Sequence, residues 1–200
     1  MTDFGSALIL AGGKGKRIGY DKKNIICNGE KLIDTTISKL RTVFSEIIIS
    51  SNTEFIRDDV LTVADTVGSG PLAGIFAGLT HCTSRYLFVI AVDMPFFSIE
   101  YINFLKSEIC KKNSNKNEID ACVMRREDGF LEPFNSFFNK SCATVIKTEL
   151  DNGIYKVLPL LKKLQLHIIE HGTAKAFSDE NIDMFFNINY AEDLQRASKI

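Results

Sequence analysis

Three cations stand in one glycine-rich stretch near the start of the chain. Lys14, Lys16 and Arg17 lie within Gly12-Gly13-Lys14-Gly15-Lys16-Arg17-Ile18-Gly19, and Asp21-Lys22 follows. Glycine lets backbone N–H groups close on an anion with no Cβ in the way, and basic side chains add full charges to those partial ones. Phosphate is the anion this arrangement suits. It is not a P-loop, because no glycine here is followed at the required spacing by Gly-Lys and a hydroxyl residue. Nor is it the dinucleotide fingerprint, since Ile18 stands where the third glycine would be.

Other polar residues end apolar runs. Asp93 directly follows residues 86–92, the most strand-like run of the chain, and Met94-Pro95 comes next. A carboxylate at the end of a buried strand is a candidate ligand for a hard ion such as Mg²⁺. Ser50 and Asn52 close the run 46–52 and, at strand spacing, point to one side. Asp65 ends residues 60–64, and Asn187 and Asn189 stand near the end of the chain. The histidines, His81, His167 and His171, sit in no motif, and no Ser/His/Asp or Cys/His set is evident. That inventory suits phosphoryl or nucleotidyl transfer, in which catalysis is mostly positioning and charge neutralisation.

These residues need a sheet to bring them together. The runs at 7–10, 46–52, 60–64 and 86–92 read as buried strands, and helical periodicity falls between them. Pro71 opens a helix that Ser69 or Gly70 can cap, with Ala73, Gly74, Ala77 and Gly78 at helical spacing for close approach to the sheet or a ligand. The alternation predicts a doubly wound α/β fold with a mostly parallel sheet, in one domain spanning residues 1–200. Residues 111–118 read as an exposed loop. Residues 120–124, the turn at 125–129 and Leu131-Glu132-Pro133-Phe134 read as a small antiparallel extension leaving the parallel sheet, a lid or a wall for a second substrate. Arg125 and Arg126 there suit either an anionic substrate or a solvated turn.

Composition bounds the rest. Two hundred residues with 45% hydrophobic content are enough for a sheet covered on both faces. A net charge of -1 points to no nucleic-acid or membrane surface, and no apolar run approaches the ~20 residues of a membrane span. The expected location is the cytoplasm. Five widely spaced cysteines, with no C-x-x-C, read as structural thiols.

Together, Leu10-Ala11-Gly12-Gly13, Arg17, Gly19, Asp21-Lys22, Gly70-Pro71-Leu72-Ala73-Gly74, Asp93-Met94-Pro95, Asn187-Ile188-Asn189 and Glu192-Asp193-Leu194 resemble the motifs of the molybdenum cofactor guanylyltransferases. These fall in order along nearly the whole chain. The resemblance implies transfer of GMP from GTP to the terminal phosphate of molybdopterin, with Mg²⁺ and release of pyrophosphate. It implies that Leu10, Ala11 and Gly12 contact the nucleotide, that Gly13 keeps the loop close to it, and that Lys22 and Arg17 bind phosphate. Asp65 would read guanine, with Ser50 or Asn52 beside the base. Asp93 would hold Mg²⁺, and Asn187 and Asn189 would serve the acceptor or the metal. Transient contact with proteins that make or receive the cofactor is implied as well. Three alternatives stand beside this reading: transfer from CTP or to another phosphorylated acceptor, an inert GTP-binding protein of the same fold, and a nicotinamide-dependent oxidoreductase. The missing third glycine disfavours the last.

Overall fold

Every residue of β1 (Ser6–Leu10) is buried, with Ala7 and Ile9 in one core and Leu8 and Leu10 in another. A strand apolar on both faces must lie inside a sheet covered on both sides. The computed structural model, which describes residues 2–12, 24–52, 55, 57–64, 67–114 and 118–198, places it there. β4 (Glu46–Ser50) and β6 (Tyr86–Ala91) flank β1 in parallel, so that Leu10 lies opposite both Ser50 and Ala91. β5 (Leu61–Val63) continues the parallel set beyond β4. On the far side, β8 (Leu131–Asn139) pairs antiparallel with β6 and with β7 (Ala121–Arg125), and β9 (Leu166–Glu170) runs parallel to β7. The order of this seven-stranded sheet is β5-β4-β1-β6-β8-β7-β9.

Helices cover both faces. Ile33, Ile37 and Leu40 of α1 (Leu32–Leu40) and Ile102, Leu105 and Ile109 of α3 (Ile99–Asn113) meet Ile9, Ile49 and Phe88 in the first core. Phe88 and Phe137 bring their rings to 5.2 Å there, joining the parallel strands to the antiparallel one. The second core holds Leu72, Ile75 and Leu79 of α2 (Pro71–His81) and Ile146 and Leu150 of α4 (Cys142–Asp151). Leu160 of α5 (Val157–Leu161) completes it. Gly78 lets α2 settle on this face, because a Cβ there would meet Leu8 Cδ2 at 2.7 Å and Leu87 Cδ2 at 3.0 Å. A two-stranded hairpin, β2 (Ile26–Cys27) and β3 (Glu30–Lys31), turns at Asn28 and Gly29, both with positive φ. That is the mirror-image turn the Asn-Gly pair favours. α6 (His171–Lys175) and α7 (Ala191–Ala197) complete the chain. Among the described residues no helix is long and apolar enough to cross a membrane.

The doubly wound architecture stands, with two differences from the sequence reading. The antiparallel hairpin does not leave the sheet: β8 is inserted between β6 and β7. Residues 111–113 are not loop but the last turn of α3, where Lys111 and Lys112 sit favourably at the negative end of the helix dipole.

Candidate active site

The carboxyl ends of β5, β4, β1 and β6 come out side by side. The ladder carries on past the strands: Ala11 N–H donates to Ser50 O at 3.0 Å, Ser51 N–H to Val63 O at 3.0 Å, and Val92 N–H to Leu10 O at 3.1 Å. One edge therefore presents Leu10, Ala11 and Gly12, then Ser50, Ser51 and Asn52, and Asp93. Ligands of open α/β sheets bind at this kind of edge. Leu10 and Ala11 are buried, whereas Gly12 and Asn52 are exposed. A Cβ at Gly12 would meet no described atom nearer than Ser50 O at 4.0 Å, so packing against described residues does not demand glycine there.

Ser50 and Asn52 part company. Ser50 is buried beneath α2, where a Cβ at Gly74 would come to 2.6 Å from both Ser50 Oγ and Leu10 Cδ2. Gly74 thus serves the close approach of helix to sheet, one of the two roles expected of the small residues in α2. The helix starts at Pro71 with Gly70 at its cap, φ +81°, and no side chain caps it. Its first turn, and so the positive end of its dipole, lies beside the strand ends that carry Leu10 and Ser50.

Asp93 is buried, 5% exposed, in the turn after β6. Its carbonyl accepts the Ile188 N–H at 2.9 Å, which draws the Asn187-Ile188-Asn189 segment to the same edge. Ile188 is fully buried with Ile25, Leu32 and Ala197, and Asn187 and Asn189 on either side of it are half-buried. Asp193 holds that segment by accepting from the N–H groups of Asn189 and Tyr190, each at 2.8 Å, at the start of α7. Among the described residues no three His, Cys, Asp or Glu side chains are grouped to hold a metal. One buried carboxylate fits an ion that keeps its waters and shares the phosphates of a substrate, which is how Mg²⁺ is commonly bound.

Beside Asp93 the sheet splays. β8 stays paired with β6 only as far as Ser136 opposite Val89, while Glu132 stays with Met124 of β7. Residues 133–135 bulge between the two registers, with Asn135 at φ 54°. A cavity of about 650 Å³ lies at this end of β7 and β8, lined by Met124, Arg126, Glu132, Asp183, Phe185 and Asn187 among others. Glu132 is 8% exposed. Burial pushes its carboxyl above the usual carboxylate range, and the charges of Asp93 and Asp183 add to that; the Phe134 N–H and Arg126 oppose it. Arg125 pairs with Glu170 at 3.0 Å, and Arg126, the hairpin cation that lines the cavity, pairs with Asp128 at 3.2 Å. Sequence reasoning passed over Glu132 and Asp183. The available signal was an acid inside the otherwise apolar stretch Leu131-Glu132-Pro133-Phe134, since acids are rarely buried without a purpose. Gly13, Arg17, Lys22 and Asp65 lie outside the described residues.

A doubly wound sheet with Gly12, polar strand ends and a buried carboxylate along one edge, and a cavity adjoining, is the architecture of a nucleotidyltransferase. The family model for the MobA-like NTP transferase domain matches residues 7–167, and the chain belongs to that family. It is 38% identical to a probable molybdenum cofactor guanylyltransferase of Peptoclostridium acidaminophilum, over 98% of this chain and 90% of that one. It is 35% identical to a molybdenum cofactor guanylyltransferase of Syntrophotalea carbinolica, over 96% and 90%. The solved structure of molybdopterin-guanine dinucleotide biosynthesis protein A from Archaeoglobus fulgidus superposes with a TM-score of 0.80 at 27% identity, covering 97% of each chain.

Proposed function

We propose that this protein transfers GMP from GTP to the terminal phosphate of molybdopterin. An oxygen of that phosphate attacks the α-phosphorus of GTP, the bond from that phosphorus to the β-phosphate oxygen breaks, and pyrophosphate leaves. The attacking phosphate is already anionic near neutral pH, so the step needs no general base. One observation carries the reading: Leu10, Ala11 and Gly12, Asn52 and Asp93 converge on one sheet edge beside the cavity at the ends of β7 and β8. The names borne by relatives of nearly full length support it.

In this reading Leu10, Ala11, Gly12 and Gly13 present backbone to the nucleotide, and Lys22 and Arg17 neutralise its phosphates. Asn52 meets the base, and Ser50 supports the edge from beneath α2. Asp65 selects guanine, because a carboxylate can accept from both N1–H and the exocyclic amine, a pair cytosine does not offer. Asp93 holds Mg²⁺, which when bound supplies charge to the α-phosphate and the leaving group. Asn187 faces the acceptor, with Asn189 beside it, and the cavity next to Asp93 receives the rest of that molecule.

The test is pyrophosphate release with molybdate-loaded molybdopterin, comparing GTP, CTP and ATP, each with Mg²⁺ and with a chelator. Release with GTP alone, abolished by the chelator, is the expected result. Release with CTP instead would overturn the role of Asp65, release unaffected by the chelator would overturn the role of Mg²⁺, and silence with all three would overturn the acceptor.

A further inference from the structure

We propose that Glu132 is the residue that recognises the ring of the acceptor, accepting two adjacent N–H donors on the edge of a flat aminopyrimidinone such as a pterin. This rests on the acceptor reading above and extends it to a residue and an edge of the substrate.

Three observations carry it. Glu132 is more than nine-tenths buried yet lines the cavity. Its Oε1 accepts the Phe134 N–H at 3.2 Å, and among the described residues Oε2 has no hydrogen-bond partner. A carboxylate this deeply set loses most of its hydration, which N–H donors on a ligand in the cavity would replace. Second, acids outnumber cations around the cavity: Glu127, Asp128, Glu132 and Asp183 against Arg126 and the ionisable His171. A phosphate would be repelled from such a lining, whereas a neutral ring rich in N–H donors suits it. Third, Met124, Phe185 and Phe186 give the same cavity apolar and aromatic surface for a flat ring. The cavity and Asp93 adjoin where β8 leaves β6, so a molecule with a donor-rich ring at one end and a phosphate at the other can span them.

The acceptor edge of a carboxylate is specific in a way that can be reversed. Pterin offers N3–H and the 2-amino group side by side. Lumazine has a carbonyl at position 2, so one donor becomes an acceptor facing a carboxylate oxygen. Glutamine at 132 presents one donor and one acceptor, which matches the N3–H/O2 edge of lumazine and mismatches the N3–H/2-amino edge of pterin.

The experiment is a fluorescence anisotropy titration of pterin and of lumazine against the full chain and against Glu132→Gln. The wild-type protein should bind pterin at least roughly tenfold more tightly than lumazine, the scale of one lost hydrogen bond to a charged group. Glu132→Gln should abolish or invert that ratio while GTP binding is unchanged. Equal affinity of the wild-type protein for the two rings overturns the inference, whatever the variant does, and so does a ratio the variant leaves intact. In turnover, Glu132→Gln should raise KM for molybdopterin at least tenfold and leave KM for GTP in place. Wild-type guanylyl transfer with no such rise overturns the role of Glu132 and leaves the proposed function standing. A ring preference that follows residue 132, without guanylyl transfer, overturns the proposed function and leaves the ring site.

Discussion

The backbone N–H of Ile188 donates to the carbonyl of Asp93 at 2.9 Å, so the last loop of the chain is tied to the end of the central strand β6. The tie uses backbone atoms on both sides, which separates what the Asp93 side chain does from what the Asp93 backbone holds. Asp93→Asn should leave the loop in place and remove the charge. The expected loss is several kcal/mol of transition-state stabilisation, roughly 100-fold or more in turnover, with native far-UV circular dichroism. Turnover within a fewfold of wild type would remove the metal role from Asp93. Ile188→Ala should differ in kind, costing about 2–5 kcal/mol of stability through its buried cavity, measured by urea unfolding.

Gly74 and Gly78 allow a paired test. Alanine at either position crowds the sheet and should cost about 1–3 kcal/mol, offset in part by better helix propensity. At Gly78 the crowded atoms belong to Leu8 and Leu87, deep in the core, while at Gly74 they belong to Leu10 and Ser50. Gly74→Ala should therefore raise KM for GTP, and Gly78→Ala should lower the melting temperature with KM for GTP unchanged. Steady-state kinetics beside thermal melts decides between them.

The same residues show what a sequence can disclose. Features governed by near neighbours were legible: Pro71 stands at the head of α2, with Gly70 at its cap. So was the shared edge of Leu10, Ser50 and Asp93, because each stands at the end of an apolar run. The position of β8 was not, since the pairing of Val89 with Ser136 leaves no mark on either stretch. Glu132 escaped although it stands in an apolar stretch, because a glutamate beside a charged turn also reads as surface until the sheet closes over it. The end of α3 was misplaced because Lys111-Lys112-Asn113 carries no apolar period.

The cysteines should divide by burial. All five are free thiols, and Cys110 is exposed. Burial pushes Cys122 and Cys142 up to about 12, and it raises Cys82 too. The thiolate is the reactive form. Iodoacetamide at pH 8 should modify Cys110 first and leave Cys82, Cys122 and Cys142 untouched until the chain is unfolded. Peptide mass spectrometry reads the pattern, and rapid native labelling of Cys122 would contradict it.

Arg57 grips Asp59 with Nε and Nη2, each at 2.9 Å, and Arg41 joins at 2.8 Å. Hydrogen bonding from Arg57, then the charges of Arg57 and Arg41, hold the Asp59 carboxyl at about 2 against an ordinary 3.8. The lowered value means that folding favours the ionised form. Its contribution is complete above the ordinary value and is lost as pH falls through about 2. Carboxyl NMR should place the Asp59 midpoint at about 2, and Arg57→Ala should return it toward the ordinary range. A midpoint that does not move would show that Arg57 is not the cause.

The insertion of β8 beside β6 also divides the chain by inheritance. Apart from Asn187 and Asn189, the residues assigned to the nucleotide and its metal come before residue 94, while the lining of the neighbouring cavity comes from Met124 onward. Descent can rewrite the later portion, and with it the molecule that receives the nucleotide, without touching the earlier one.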